Sequence, residues 1–265
     1  MKMSIRTCVL MLLLGTAAVI ARAGDRPGGE EGPSPMLLGI LENAGVNAAD
    51  PAALVQAATA HQDPNVRWVA IEVLGLRKEG RARDVLRRIL AKEQEERVVR
   101  ETAALALARM GDEAGLKALR EFMESPTDPK RQVFLAARLA ELGDVSGYAH
   151  VARAARSEDP SLREMAVEAL PPFALRPQAE LGGGPLPGAL LLHLAEDGSP
   201  DVRKQVLAFL PIAMGKGLTR AQVRPVLQRV AEGDPDIDVR ESAKALLNAW
   251  KVEDCQGNPD KGDCQ

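Results

Sequence analysis

The feature that most constrains this chain is a unit that recurs six times. Taking Arg67, Arg100, Gln132, Arg163, Arg203 and Arg240 as one equivalent position, the successive spacings are 33, 32, 31, 40 and 37 residues. Seven places further on stand Leu74, Leu107, Leu139, Leu170, Leu210 and Leu247. Three places on are Ala70, Ala103, Leu135, Ala166, Val206 and Ala243. One place before are Val66, Val99, Arg131, Leu162, Val202 and Val239, with Arg131 the single polar exception. Steps of four put these positions on one stripe of an α-helix. Four places before the reference position come Asp63, Glu96, Asp128, Asp159, Ser199 and Asp236. All but Glu96 are strong N-cap residues, whose side-chain oxygen accepts from amides of the first turn. Pro64, Pro129, Pro160 and Pro200 follow directly, at the one helical position where a missing N–H costs nothing.

Each cap-led helix is followed by a break and a second amphipathic stretch: Ala82–Leu90 after Gly80, Ala114–Met123 after Gly111-Asp112, Val145–Ala155 after Gly143-Asp144. Aromatic residues make up only 3% of the chain, and alanine and leucine at helical spacing favour helix over strand. A helix pair of this size cannot bury its apolar face alone and must stack on its neighbours. Met36–Ala44 and Pro51–His61 read as an atypical first pair, and the last repeat is truncated near Trp250. The expected fold class is therefore all-α, an α-solenoid of about six to seven helix pairs.

The run Asp63-Pro64-Asn65-Val66-Arg67, the Val99-Arg100 helix ending in Met110-Gly111-Asp112, and Asp159-Pro160-Ser161-Leu162-Arg163 resemble the short HEAT-like repeats also found in phycobilin lyases. The resemblance covers about residues 36–250 and implies the solenoid fold. It implies little about function, because such repeats serve scaffolds, lyases, hydroxylases and DNA-repair proteins alike. In related repeats the arginine is a framework residue, and Arg67, Arg100, Arg163, Arg203 and Arg240 are expected to form a local or inter-repeat ladder. Two units depart from the pattern, with Pro171-Pro172 after Leu170 and Pro211 after Leu210, where a continuing helix needs amides. Residues 176–187 lack periodicity and read as a surface loop, either a specific contact or a neutral insertion.

Outside the repeats, residues 1–23 have the layout of a secretory signal peptide: Lys2 and Arg6, an apolar run, then Ala21-Arg22-Ala23, with cleavage expected after Ala23. Residues 24–35 read as a flexible leader and 251–265 as a C-terminal tail. The expected location is secreted or periplasmic. No later stretch is long and apolar enough to span a bilayer, so no membrane insertion is expected after cleavage. Cleavage removes Lys2, Arg6 and Arg22, leaving 31 of the 34 basic residues against 37 acids, a formal charge of −6. That balance argues against nucleic acid as partner. In an exported protein, Cys255 and Cys264 read as a disulfide.

No catalytic set assembles from the sequence, so no enzyme, metal or cofactor is expected. His61, His150 and His193 lie in different repeats and none precedes glutamate, unlike the His-Glu pairs of the HEAT-repeat hydroxylases. Zinc-binding histidine spacings are absent, as is a Gly-x-Ser-x-Gly elbow. Gly182-Gly183-Gly184 is not followed by Lys-Ser or Lys-Thr and is no phosphate loop. The remaining candidates are partner-binding residues. Arg87, Arg88, Lys117, Arg120, Arg153 and Arg156 recur on the second helices and form a mildly basic stripe suited to an acidic protein. Trp68 is either an interface anchor or a filler at the junction with the first pair, and Trp250 a plug for the last repeat. The expected function is a non-catalytic protein–protein scaffold or binding module of an exported compartment, with an unknown protein partner. The alternative is a ligand- or chromophore-handling accessory protein of the lyase kind.

Overall fold

The computed structural model describes residues 32–125, 128–174, 176–214 and 217–257, with side chains through residue 251. Among the described residues there are thirteen α-helices and no strand. The chain divides into two compact units at Pro126/Thr127, and each is a solenoid segment of consecutive helix pairs.

The N-terminal unit holds α1 (Pro35–Asn43), α2 (Pro51–Ala60), α3 (Pro64–Leu76), α4 (Arg83–Ala91), α5 (Arg97–Arg109) and α6 (Glu113–Glu124). Local chemistry sets the starts of these helices. The Asp50, Asp63 and Asp112 carboxylates accept from the amides of Ala52, Asn65 and Ala114 at 2.9, 2.8 and 3.0 Å. Helix α5 starts at Glu96 without a side-chain cap. The ends of the cap-led helices are also alike. Gly111 takes φ 75°, its N–H donates to the Ala108 carbonyl, and the Asp112 N–H donates back to Leu107, a doubled return that closes the free carbonyls. At the end of α3 the left-handed position falls to Lys78, with φ 51°, and the same two bonds run to Gly75 and Leu74. The repeated leucine thus packs with its side chain and terminates its helix with its carbonyl. Helices α3 and α5 lie side by side, with α2 and α4 against α3 and α5 respectively and α6 against α5. Leu41, Leu54, Leu74, Leu86, Val99 and Leu107 form the buried centre, and Trp68 packs on it partly exposed.

The C-terminal unit holds α7 (Pro129–Glu141), α8 (Tyr148–Ala154), α9 (Pro160–Ala169), α10 (Pro187–Leu194), α11 (Pro200–Met214), α12 (Arg220–Gly233) and α13 (Ile237–Gly257). The cap-led helices α7, α9, α11 and α13 stand in one row. Leu139, Leu170 and Leu210 are fully buried, whereas Leu247, in the last repeat, is only partly so. Trp250 is buried, with the Arg220 guanidinium 5.5 Å from its ring centre. The two proline interruptions differ in effect. Helix α9 stops at Ala169 and Pro171–Phe173 make a buried 3-10 turn. Helix α11 instead runs through Pro211, whose ring faces solvent while Leu210 and Ala213 stay buried. Packing of that stripe outweighs one lost backbone hydrogen bond. The segment 176–186 is a folded loop: Leu181 is buried, Gln178 donates to the Gly184 carbonyl at 3.1 Å, and the Tyr148 hydroxyl donates to the Pro185 carbonyl.

The expectation of a Cys255–Cys264 disulfide is corrected. Among the described residues no disulfide is found, and helix α13 carries Cys255 in its final turn before Gly257. A backbone held by helical hydrogen bonds has no need of a crosslink to close it, which is where the sequence argument failed. The side chain of Cys255, Cys264 and the rest of the tail lie outside the described residues, as do the signal-peptide segment and residues 24–31 of the leader.

The repeated arginines form inter-repeat rungs within each unit. Arg163 donates twice to Asp197 at 2.7 and 2.8 Å and also to the Ser157 carbonyl at 2.7 Å. Arg203 donates twice to Asp234 at 2.7 Å and to the Asp197 carbonyl at 2.7 Å. In the N-terminal unit Arg67 reaches Glu95 at 2.7 Å and the His61 carbonyl at 2.9 Å. Arg240 donates to the Asp234 and Pro235 carbonyls. Each of Arg67, Arg163 and Arg203 therefore ties its own entry loop to the loop that opens the next repeat. Its partner is a carboxylate one or two places ahead of the next cap, not the cap one turn before it. Burial by itself would raise the Asp197 and Asp234 carboxyls, but the Arg163 and Arg203 guanidiniums and the loop amides overcome it and hold both below the usual range.

Candidate functional site

Most of the basic second-helix residues are scattered or already engaged. Arg87 pairs with the buried cap Asp112 at 2.8 Å and with Asp84 at 3.3 Å. Arg88 donates to the Asp84 carbonyl at 3.3 Å. Arg120 is exposed on α6, and Arg153 and Arg156 are exposed at the end of α8 in the C-terminal unit. Lys117 is the member of that set that lines a cavity. A cleft of about 600 Å³ opens in the N-terminal unit between the end of α4, the first turn of α5 and one face of α6. Its walls are Leu90, Arg97, Arg100, Ala114, Lys117, Ala118, Glu121, Phe122 and Ser125.

The cleft follows from local sequence. Arg97 and Arg100 lie one turn apart at the start of α5, so both guanidiniums project on the same side. Phe122 sits near the end of α6, and the guanidinium carbons lie 5.6 and 5.5 Å from its ring centre, within cation–π reach. Arg97 is fixed by Glu101 at 2.8 Å, a carboxylate 2% exposed, and by the Phe122 carbonyl at 2.7 Å. Arg100 is fixed by the Leu90 carbonyl at 3.0 Å. Lys117, which lines the cleft from α6, makes a loose 3.9 Å pairing with Glu121, and both side chains are well exposed. Of these residues, the sequence reading placed Lys117 among the binders and Arg100 in the framework. It missed Arg97 altogether, although two arginines at i and i+3 opening a helix without a capping side chain were visible. It also missed Glu95, Asp197 and Asp234, whose common place just ahead of the next cap was the available signal.

Residues 51–138 match the HEAT repeats family, and the capped helix pairs described above extend the same unit beyond that segment. The chain folds as a solenoid of HEAT-like helix pairs. No curated protein matches it in sequence. Among solved structures, the HEAT-like chain is similar to a designed armadillo repeat protein in complex with the peptide (KR)4, at 18% identity and TM-score 0.46, over 76% of this chain and 98% of that one. It is also similar to the archaeal HEAT-like repeats protein from Thermococcus onnurineus NA1, at 13% identity and TM-score 0.35, over 91% and 97%. Human deoxyhypusine hydroxylase in complex with glycerol aligns at 20% identity and TM-score 0.32, over 91% and 98%. Likeness at this level speaks to neither partner nor activity.

Two further features of the HEAT-like chain bear on chemistry. Glu168, half-buried on α9, accepts from the Gln205 amide of α11 at 2.7 Å. Burial, with Glu164 one turn away adding to it, pushes its carboxyl up to about 7. The carboxyl is held in a seam between two cap-led helices and is bonded to a neutral amide, an arrangement with no nucleophile or base partner. Among the described residues no group of three or more His, Cys, Asp or Glu side chains is arranged to hold a metal ion, and no helix is long and apolar enough to cross a membrane.

Proposed function

We propose that this chain is a non-catalytic binding module that holds a segment of a protein partner in the cleft of its N-terminal unit, and that it works in an exported compartment. The observation that carries the reading is the paired guanidiniums of Arg97 and Arg100, fixed over Phe122, in a cleft that Lys117 also lines. Side chains held this way lose little further freedom on binding, and a preorganised surface binds more tightly for the same contacts. A stack of repeats is well suited to extended partners. The cleft is open and edged with charge, which fits a peptide chain better than a flat apolar chromophore needing enclosure. Export rests on Lys2, Arg6, the apolar run and Ala21-Arg22-Ala23.

A photo-crosslinking residue in place of Ser125, at the rim of the cleft, tests the binding reading. It is expected to give a discrete adduct in the native host, which the same residue in place of Arg81, exposed ahead of α4, does not give. Equal labelling from both positions ends the proposal. Sequencing the N-terminus of the protein from the native host is expected to begin at Gly24, and a retained Met1 removes export.

A further inference from the structure

We infer that the occupant of this cleft is an acidic segment, with a carboxylate bound between Arg100 and Lys117 and an adjoining apolar side chain against Phe122 and Leu90. The inference rests on the binding reading above and adds the chemistry of the partner. Three cations and one carboxylate line the space, and that carboxylate, Glu121, is at its exposed edge. The buried carboxylate of Glu101 is taken up by Arg97. The local excess of positive charge stands in a chain whose formal net charge is −3. It is a feature of this site and not of the surface as a whole.

The geometry selects a carboxylate on a peptide. A planar guanidinium with its Nε already bonded keeps its outer N–H groups for a second partner, and carboxylates match that fork. The exposed Lys117–Glu121 pair is long and contributes little, so an incoming carboxylate displaces Glu121 at small cost. Leu90, Ala114, Ala118 and Phe122 supply apolar wall between the charges, which an inorganic oxyanion leaves uncovered and a peptide side chain fills.

The test uses two dye-labelled, end-blocked hexapeptides, Ser-Glu-Leu-Glu-Ser-Gly and its counterpart with glutamine for both glutamates, titrated by fluorescence anisotropy against the full chain. The acidic peptide is expected to bind at least about tenfold more tightly, the loss expected from one charge-assisted contact. Arg100→Gln and Lys117→Gln are each expected to bring it down to the level of the glutamine peptide. The Lys117 side chain is well exposed and pairs loosely with Glu121, so its variant stays informative if Arg100→Gln disturbs helix α5. Phe122→Leu is expected to weaken both peptides alike, and Arg88→Gln neither. Equal affinity for the two peptides overturns the acidic partner and leaves the binding module standing. Binding of neither peptide to protein with unchanged circular dichroism overturns both. Full displacement by millimolar sulfate marks a simple oxyanion site and overturns the peptide assignment.

Discussion

At the scale of single residues, the arginine at the reference position is the hinge of the design. Arg203 and Asp234 are 7% and 4% exposed in their side chains, so neither has water to fall back on. Removing one partner of such a pair leaves a buried charge without compensation, whereas removing both can be close to neutral. Asp234→Ala is therefore expected to lower the unfolding free energy by about 3–5 kcal/mol, read from urea midpoints. The double variant Arg203→Met with Asp234→Leu is expected to recover most of that loss. A single variant within 1 kcal/mol of the parent would show that the rung is not what joins the repeats (a cost typical of exposed pairs, about 0–1 kcal/mol). The existence of an arginine row was legible in the spacing alone. Its acceptors were not, because Glu95, Asp197 and Asp234 lie 28, 34 and 31 residues downstream, and only stacking brings them into reach.

At the scale of elements, caps and returns define the helices, and close approach of backbones sets how they pack. A methyl group added at Gly115 would meet the Ala104 carbonyl oxygen and the Ala108 nitrogen, both at 2.5 Å, and the Leu107 side chain at 2.8 Å. Helices α5 and α6 touch there through backbone that cannot yield cheaply. Gly115→Ala is accordingly expected to destabilise the protein by about 1–3 kcal/mol despite its better helix propensity, measured by chemical denaturation. An increase in stability would mean that α6 can slide on α5 and that the cleft is not rigid. Sequence periodicity located α3, α7, α9 and α11 through their aspartate or proline starts, and α5 through its apolar stripe alone. It misjudged Pro211, because a local rule about amides could not weigh the buried Leu210 and Ala213 on either side of it.

At the scale of the whole molecule, the rungs and the α9–α11 seam set opposing pH dependences. Asp197, Asp234 and Glu95 have folded pKa values below their usual range. Their contribution is complete above the usual carboxylate range and is lost as pH falls through their lowered folded values. Glu168 is shifted the other way, to about 7. The folded state holds its proton where the unfolded chain has released it, so stability falls as pH rises from about 4.5 to 7 and then levels. The unfolding free energy is expected to peak near about pH 5. In Glu168→Gln the decline between pH 5 and 8 is expected to flatten while the acid limb is unchanged. A decline that persists in this variant assigns the titration to another group.

What the amino-acid sequence determined by itself is what depends on short range. Caps, prolines, helix returns and the leucine stripe act within one or two turns, so their spacing reveals the helices, the repeat and the solenoid class. The cleft belongs to the other category. Arg97 and Arg100 come from one helix, Phe122 and Lys117 from the next, and Leu90 from the one before. Only the packing of α4, α5 and α6 decides that these side chains face a common space, while Arg87 turns to Asp112 and away from a partner. Charge and hydrogen bonding between residues twenty or more places apart depend on the angle at which helices meet, and that angle is a property of the packed interface.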